Sequence, residues 1–353
     1  MESESPEAGT NSGREESAPN DAALRRATTP YQRSGTARGL FQIATSFGGL
    51  FATCALMYVL YGISFWLVLI PAPLAAAFLV RVFIIQHDCG HNSFFGSRLA
   101  NTVTGFACSM ITVTPFLSWR RQHAAHHGIW NDLDRRESGA DIYSSLLTLK
   151  EYQALSSWGR RWYRLSRHPI FANLVLPPLI FLFLYRLPFN MPRSWRLERV
   201  FVHLTTLALA GIVVGLSFAV GFKAVLAVQL PVIVLATFMG VWLFSIQHRG
   251  EYVRWARHDR WSATSAALEG TTFLRLPAIL QWFTGNIGFH HVHHLNPRVP
   301  NYRLQACHTA LSQQHTAPEM TLGQGFSALR YILWDEERGA MLTAAGARKL
   351  TTE

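Results

Sequence analysis

Residues 200–247 read VFVHLTTLALAGIVVGLSFAVGFKAVLAVQLPVIVLATFMGVWLFSIQ, with Lys223 the one charged side chain among them. About 20 apolar residues cover the hydrocarbon core of a bilayer. The stretch therefore divides into two crossings, Val200–Val220 and Ala224–Gln247, joined by a tight turn at Gly221-Phe222-Lys223. In lipid, a helix satisfies every backbone N–H and C=O within a single segment, so the pair predicts a transmembrane helical hairpin. Upstream, Ala44–Ile70 is equally free of charge, Pro71-Ala72-Pro73 breaks it, and Leu74–Gln86 continues with only Arg81 interrupting. This predicts a second hairpin, whose later arm runs on into the polar residues after Gln86.

Composition agrees. The chain has 353 residues, 49% apolar and 15% charged, with a mean hydropathy of +0.13. That is too apolar for a large soluble enzyme, and the excess lies in long runs. There are 32 Lys and Arg against 21 Asp and Glu, a net charge of +11. The arginines sit between apolar runs and not on a compact polar module, so membrane orientation and lipid headgroups explain them better than nucleic acid does. The two tight turns carry almost no positive charge, whereas segments Arg98–Arg136, Arg160–Arg167 and Arg249–Arg303 are rich in it. The positive-inside rule puts all three, and the N-terminus, in the cytoplasm. Two further apolar stretches, Leu99–Trp119 and Pro169–Tyr185, are read as re-entrant or interfacial, since a single crossing by either would separate the polar segments around it. Residues 1–38 contain no apolar stretch and predict a disordered cytoplasmic tail. A membrane domain over 39–334 and a C-terminal tail over 335–353 follow. The four cysteines, Cys54, Cys89, Cys108 and Cys307, have no CxxC spacing and suggest neither disulfides nor a zinc ribbon. The expected fold is an all-α integral membrane protein. It has four transmembrane helices in two hairpins, re-entrant or interfacial helices, and a cytoplasmic helical cap.

Histidines define what the cap holds. HDCGH carries His87 and His91, HAAHH carries His123, His126 and His127, and in HHVHH the same HxxHH spacing selects His290, His293 and His294. Positions i, i+3 and i+4 of a helix share one face, so each box can aim its imidazoles at one point. With 15 His in 353 residues, HxxHH is expected by accident roughly 0.03 times in such a chain, and here it occurs twice. Imidazole suits iron, copper, zinc and nickel, and eight such ligands exceed what one ion takes, so two ions are the economical arrangement. His248, in SIQHRGEY at the end of the fourth arm, is a ninth candidate, with a polar residue marking the helix exit as the plainer reading. His291 breaks the shared face and is read as pointing away from the metals. Asp88, Glu251 and Asn286 are candidates to take the second N–H of a metal-bound imidazole, or else ordinary surface polar residues. No catalytic side chain stands out beyond the ligands.

At these residues the sequence resembles the membrane fatty acid desaturase family, in its acyl-lipid, omega-6/delta-12-like branch. The likeness runs from about Gly39 to Leu304 and is most specific in LQWFTGNIGFHHVHHLNPRVPNYRL (Leu280–Leu304), followed by HDCGHNSFF and RRQHAAHH. It implies a non-haem di-iron centre on the cytoplasmic face, ligated by His87, His91, His123, His126, His127, His290, His293 and His294. It also supports His248, because the family has a His in a QHxxE setting after its last membrane helix. Gly250 replaces the usual apolar or aromatic residue before that Glu. Phe244 stands where the acyl-CoA branch has an Asn, so no water-mediated ligand is expected there. The implied reaction uses O2 and two electrons to introduce a cis double bond into a lipid acyl chain, held in a narrow apolar tunnel beside the metals. No GxGxxG fold, cysteine cluster or haem motif occurs, and GQGFSA at Gly323 is read as a turn. Electrons are expected from a separate ferredoxin or small cytochrome. Arg120, Arg121, Arg160, Arg161, Arg254 and Arg257 would dock it or touch lipid headgroups. The resemblance implies a multi-pass protein of a bacterial inner membrane with its active site facing the cytoplasm. Two alternatives stay open at this level. A hydroxylase or ketolase of lipid, alkane or carotenoid substrates would use the same scaffold. A metal transporter would instead hold its ligands near mid-membrane.

Overall fold

Long uncharged runs become long helices. The structure, a computed structural model, describes residues 17–136, 146–188, 191–312 and 317–350. In chain order its principal helices are α1 (Ser17–Thr28), α2 (Thr36–Tyr61), α3 (Ala72–Gly90), α4 (Arg98–Ser109), α5 (Phe116–Ile129), α6 (Ser157–Ser166), α7 (Leu176–Leu182), α8 (Arg196–Val220), α9 (Phe222–Gln247), α10 (Ala278–Phe283), α11 (His290–Leu295), α12 (Asn301–Leu311) and α13 (Leu322–Ala328). Among the described residues, α2, α3, α8 and α9 are the four helices long and apolar enough to cross a membrane. At 1.5 Å per residue, the 26 residues of α9 reach about 39 Å, more than the ~30 Å hydrocarbon core. The 12 residues of α4 reach only about 18 Å and cannot span. α6 and the apolar segment Phe171–Arg186 meet at a bend of 54°, which fits an interfacial or re-entrant element.

The inner helix is α3, which packs against α2, α4 and α9. Ala72, Ala75 and Ala76 are fully buried there. Small side chains of this kind let helix backbones approach where lipid offers no hydrophobic drive. The same logic holds at Gly49 of α2, where a Cβ would lie 2.3 Å from the Phe78 ring, and at Gly105 of α4, where it would lie 2.3 Å from Phe116 of α5. α8 is the opposite case, with Leu207, Val214 and Phe218 exposed, Phe218 by 89%. Such an apolar outer face belongs in hydrocarbon.

Several expectations are corrected. The first arm is Thr36–Tyr61 and not Ala44–Ile70, since Gly62 ends it and the Ser64 side chain accepts from the Trp66 N–H to start a separate short helix, Phe65–Val68. The tail expected over 1–38 is helical from Ser17 where described. Leu24 of α1 is buried in a cluster with Val299, Leu304 and Leu311, and Thr28 accepts from Asn296 Nδ2, anchors that are invisible to average polarity. Residues 1–16 lie outside the described residues. The 335–353 tail is also structured as far as Leu350. Of the strands β1 (Leu147–Thr148), β2 (Phe273–Arg275), β3 (Glu319–Thr321), β4 (Tyr331–Asp335) and β5 (Ala340–Thr343), β4 pairs parallel with β1 and antiparallel with β5. The sheet therefore crosses the expected boundary at 334, and Met341 and Ala347 are buried beyond it. GQGFSA lies within helix α13 and not in a turn, because Thr321 and Gln324 form a reciprocal capping box.

Candidate metal centre

Each histidine box sits where local structure fixes its direction. His87 lies in the last turn of α3 and His91 is its C-cap, followed by Asn92 in the left-handed region at φ 55°. His123, His126 and His127 occupy the C-terminal half of α5, and His290, His293 and His294 fill the six-residue helix α11. His248 caps α9. Four elements distant in sequence thus bring nine imidazoles together.

They form two sets. The ligand atoms of His87, His91, His123, His127 and His293 all lie within 4.8 Å of one another, as do those of His126, His248 and His294, and either set could hold a metal ion. In the first, His127 Nε2 is 3.2 Å from His123 Nε2 and 3.0 Å from His293 Nε2. In the second, His248 Nε2 is 3.1 Å from the Nε2 atoms of His126, His294 and His290 alike, which adds His290 to that set.

Hydrogen bonding alone does not account for this. His248 Nδ1–H donates to the Phe244 carbonyl at 2.7 Å. A carbonyl only accepts, so the proton is on Nδ1 and Nε2 presents a lone pair. That lone pair faces three other Nε2 atoms, and one neutral ring cannot donate to any of them. His87 Nδ1–H likewise donates to Asp88 Oδ1 at 3.2 Å, leaving its Nε2 as a lone pair. His91 Nε2 is buried with no hydrogen-bond partner. Burial, and then the neighbouring imidazoles, hold His91, His123, His127, His290, His293 and His294 well below the usual histidine range, so all are neutral at pH 7. Converging neutral lone pairs in a buried site are what a cation satisfies, and the donor set fits a pair of transition-metal ions.

The surrounding polar groups divide unevenly. Asp88 Oδ2 accepts from the Asn301 backbone N–H at 2.7 Å and from Asn301 Nδ2 at 2.8 Å. Asn286 Nδ2 in turn donates to the Asn301 carbonyl at 3.2 Å. Asp88 therefore backs a box-one imidazole directly, and Asn286 acts through Asn301. Glu251 is different. It is exposed and faces Tyr331, because Gly250, at φ 145°, turns the chain outward after His248. The expected backing contact from Glu251 is not formed. His291 does point away from both sets, yet it is buried and shares a 3.0 Å hydrogen bond with His308 beside the stacked rings of Phe273 and Phe289. Sequence reasoning missed Asn301 and His308, and also Trp119, stacked on His123 at 4.7 Å, and Trp130, 4.3 Å from His248. Asn301 was within reach as the residue after Pro300 at a helix start, but its partner is 213 positions away. Of the six arginines expected to face a partner, Arg121 is paired with Glu198, and Arg257 with Asp134 and Glu336.

A partly open cavity of about 190 Å³ begins at His87, His123, His126 and His290 and runs between α3 and α9. Its lining is mainly aliphatic and aromatic. The sequence profile of the family described as "Fatty acid desaturase" matches residues 64–324. The chain belongs to the fatty acid desaturase family. It is an oxidoreductase of that family and a membrane protein. It is 38% identical over 314 residues to a "Fatty acid desaturase" of Bacillus subtilis, covering 89% of this chain and 88% of the relative. It is 26% identical to an "sn-1 oleoyl-lipid 12-desaturase" of a Picosynechococcus species, covering 72% of each. An "Acyl-lipid omega-3 desaturase (cytochrome b5), endoplasmic reticulum" of Arabidopsis thaliana is 27% identical over 63% of this chain and 58% of its own length.

Proposed function

We propose that this desaturase introduces a cis double bond into an acyl chain of a membrane lipid at a centre of two irons. His87, His91, His123, His127 and His293 would hold one ion, and His126, His248, His290 and His294 the other. The observation that carries the reading is the placement of two convergent sets of imidazole nitrogens at one end of an apolar cavity between membrane helices. When bound, such a centre supplies from O2 the oxidising power needed to take hydrogen from an unactivated methylene. The net change removes two hydrogens from the chain and, with two electrons and two protons from outside, reduces O2 to two waters. A separate ferredoxin or small cytochrome is the proposed donor.

The chain's own residues contribute position and exclusion. The reacting carbons carry no functional group, so only the shape of the cavity can choose them. Asp88 and the Phe244 carbonyl fix the rings of His87 and His248 in the tautomer that presents Nε2 inward. Trp119 and Phe244 pack against the imidazoles and keep water from the site. The names of the cyanobacterial and plant relatives favour a lipid-linked acyl chain as substrate. The arginine-rich segments favour a cytoplasmic active site in a bacterial inner membrane. The test is expression in a host lacking polyunsaturated lipids, with mass spectrometry of its fatty acids and metal analysis of the purified protein. New double bonds and two irons per chain are expected. Hydroxylated or keto products in place of double bonds, or active protein with one iron or none, would overturn the reading.

A further inference from the structure

We propose that Gly240 gauges how far an acyl chain reaches past the metal centre, and so which carbons are desaturated and which chain lengths fit. The inference rests on the acyl-chain reading above and adds to it a residue that sets specificity.

The cavity is lined along α9 by Ile233, Ala236, Thr237, Gly240, Val241 and Phe244, spaced so that they share one helix face. Phe244 marks the metal end, with its ring 5.3 Å from that of His126 and 4.5 Å from that of His248. At 1.5 Å per residue, Gly240 lies about 6 Å below Phe244, and Ile233 about 10 Å deeper still. Gly240 is therefore the waist between the reacting position and the deep half of the cavity.

Nothing in the packing requires glycine there. A Cβ at Gly49 or Gly105 would strike a neighbouring ring, whereas a Cβ at Gly240 would meet no atom within 4 Å. Gly48, Gly211 and Gly215 are equally open, but they are exposed on outward faces, whereas Gly240 faces the cavity. Glycine within a helix is disfavoured relative to alanine, so its effect at this position is to keep the cavity wide. The deep half, walled by Leu79, Val80, Ile180 and Ile233, suits the methyl end of a chain. The ester and headgroup are polar and belong on the other side of the metal end from this deep half. An extended chain advances roughly 1.2 Å per bond, as in an extended peptide, so the space below Gly240 takes roughly eight carbons. A branched side chain at position 240 would remove most of that room.

The experiment compares wild type, Gly240→Ala and Gly240→Leu in a host supplied with acyl chains of graded length, with product positions read by mass spectrometry. For Gly240→Leu the double bond should move towards the methyl end, or preference should shift about tenfold or more towards chains shorter by several carbons. Gly240→Ala should shift the same way by less. A second readout needs no turnover. In purified metal-free protein, the fatty acid length that best protects against thermal unfolding should be shorter for Gly240→Leu than for wild type. An active Gly240→Leu with wild-type positions and lengths would overturn the proposal. So would an inactive one whose protection profile is unchanged. A wild type that forms no double bond would count against the desaturation reading alone, because the protection series still tests Gly240.

Discussion

Asp88 ties together two parts of the chain that only folding brings near. One carboxylate oxygen takes the His87 Nδ1–H, and the other takes two N–H groups of Asn301, 213 positions away. The second contact caps the first turn of α12, which follows box three's helix α11 after a five-residue connection. Asp88→Asn keeps the shape but removes the charge and one acceptor. We expect a roughly 10- to 100-fold loss of metal affinity or activity, the usual effect of altering a group that orients a ligand, checked by metal titration and by turnover. His248 and His291 make a sharper pair. His248→Ala should remove one metal, giving about one iron per chain, because three other Nε2 atoms lose their common centre. His291 lies off the ligand face but is buried against His308, and for His291→Ala we expect a loss of about 1–3 kcal/mol of stability from the unpaired group and the hole. Folded His291→Ala should still hold two irons, and one that holds none would reverse the two roles. The histidines that converge in two sets were legible in the sequence because helical spacing is local. The partners of His291 and Asp88 were not, since no pattern within a few residues encodes a contact across the fold.

At the scale of elements, the hydrophobic runs and the histidine boxes were legible for the same reason, as each is a property of one segment. What escaped was structure stabilised by partners elsewhere. β1 has two residues and is a strand only because Leu147 and Thr148 pair with Leu333 and Trp334 of β4. α1 rests on the buried Leu24, and α13 on its capping box. The placement of α5, which carries box two, depends on Gly105 letting α4 lie against Phe116, and no periodicity announces that contact. Orientation follows from counting. Four candidate crossings put the start of α2 and the end of α9 on the same side, with the turn at Gly221 on the other. Reporter fusions after Lys223 and after Glu353 should therefore report opposite sides, with the C-terminal fusion cytoplasmic. Two fusions on one side would mean that α9 does not cross, whereas a cytoplasmic Lys223 fusion with the C-terminal fusion outside would mean that the bent α6–α7 region crosses, and box three would then be separated from the other two by the membrane.

For the whole molecule, the cluster predicts a steep dependence on pH. His91, His123, His127, His290, His293 and His294 are held well below the ordinary histidine value of 6.5, first by burial and then by one another. The unfolded chain takes up these protons near pH 6.5 while the folded chain does not. Below that pH the unfolded state binds more protons, so stability rises with pH and is lost as pH falls. All six shifts run in the same direction, so their pH dependences reinforce one another and the cluster opens as pH falls below the ordinary histidine range. The metal needs the same lone pairs that the protons take, so release and loss of structure should occur together. Thermal melts and chelator-detected metal release between pH 8 and pH 5 should show a plateau above about 7 and a joint, cooperative fall below 6.5. Metal-free protein should fall earlier than loaded protein, because bound cations hold off protonation. If stability stays flat down to pH 5 in the metal-free protein, the imidazoles are not buried as neutral bases, and the lone-pair argument for the metal centre fails with them.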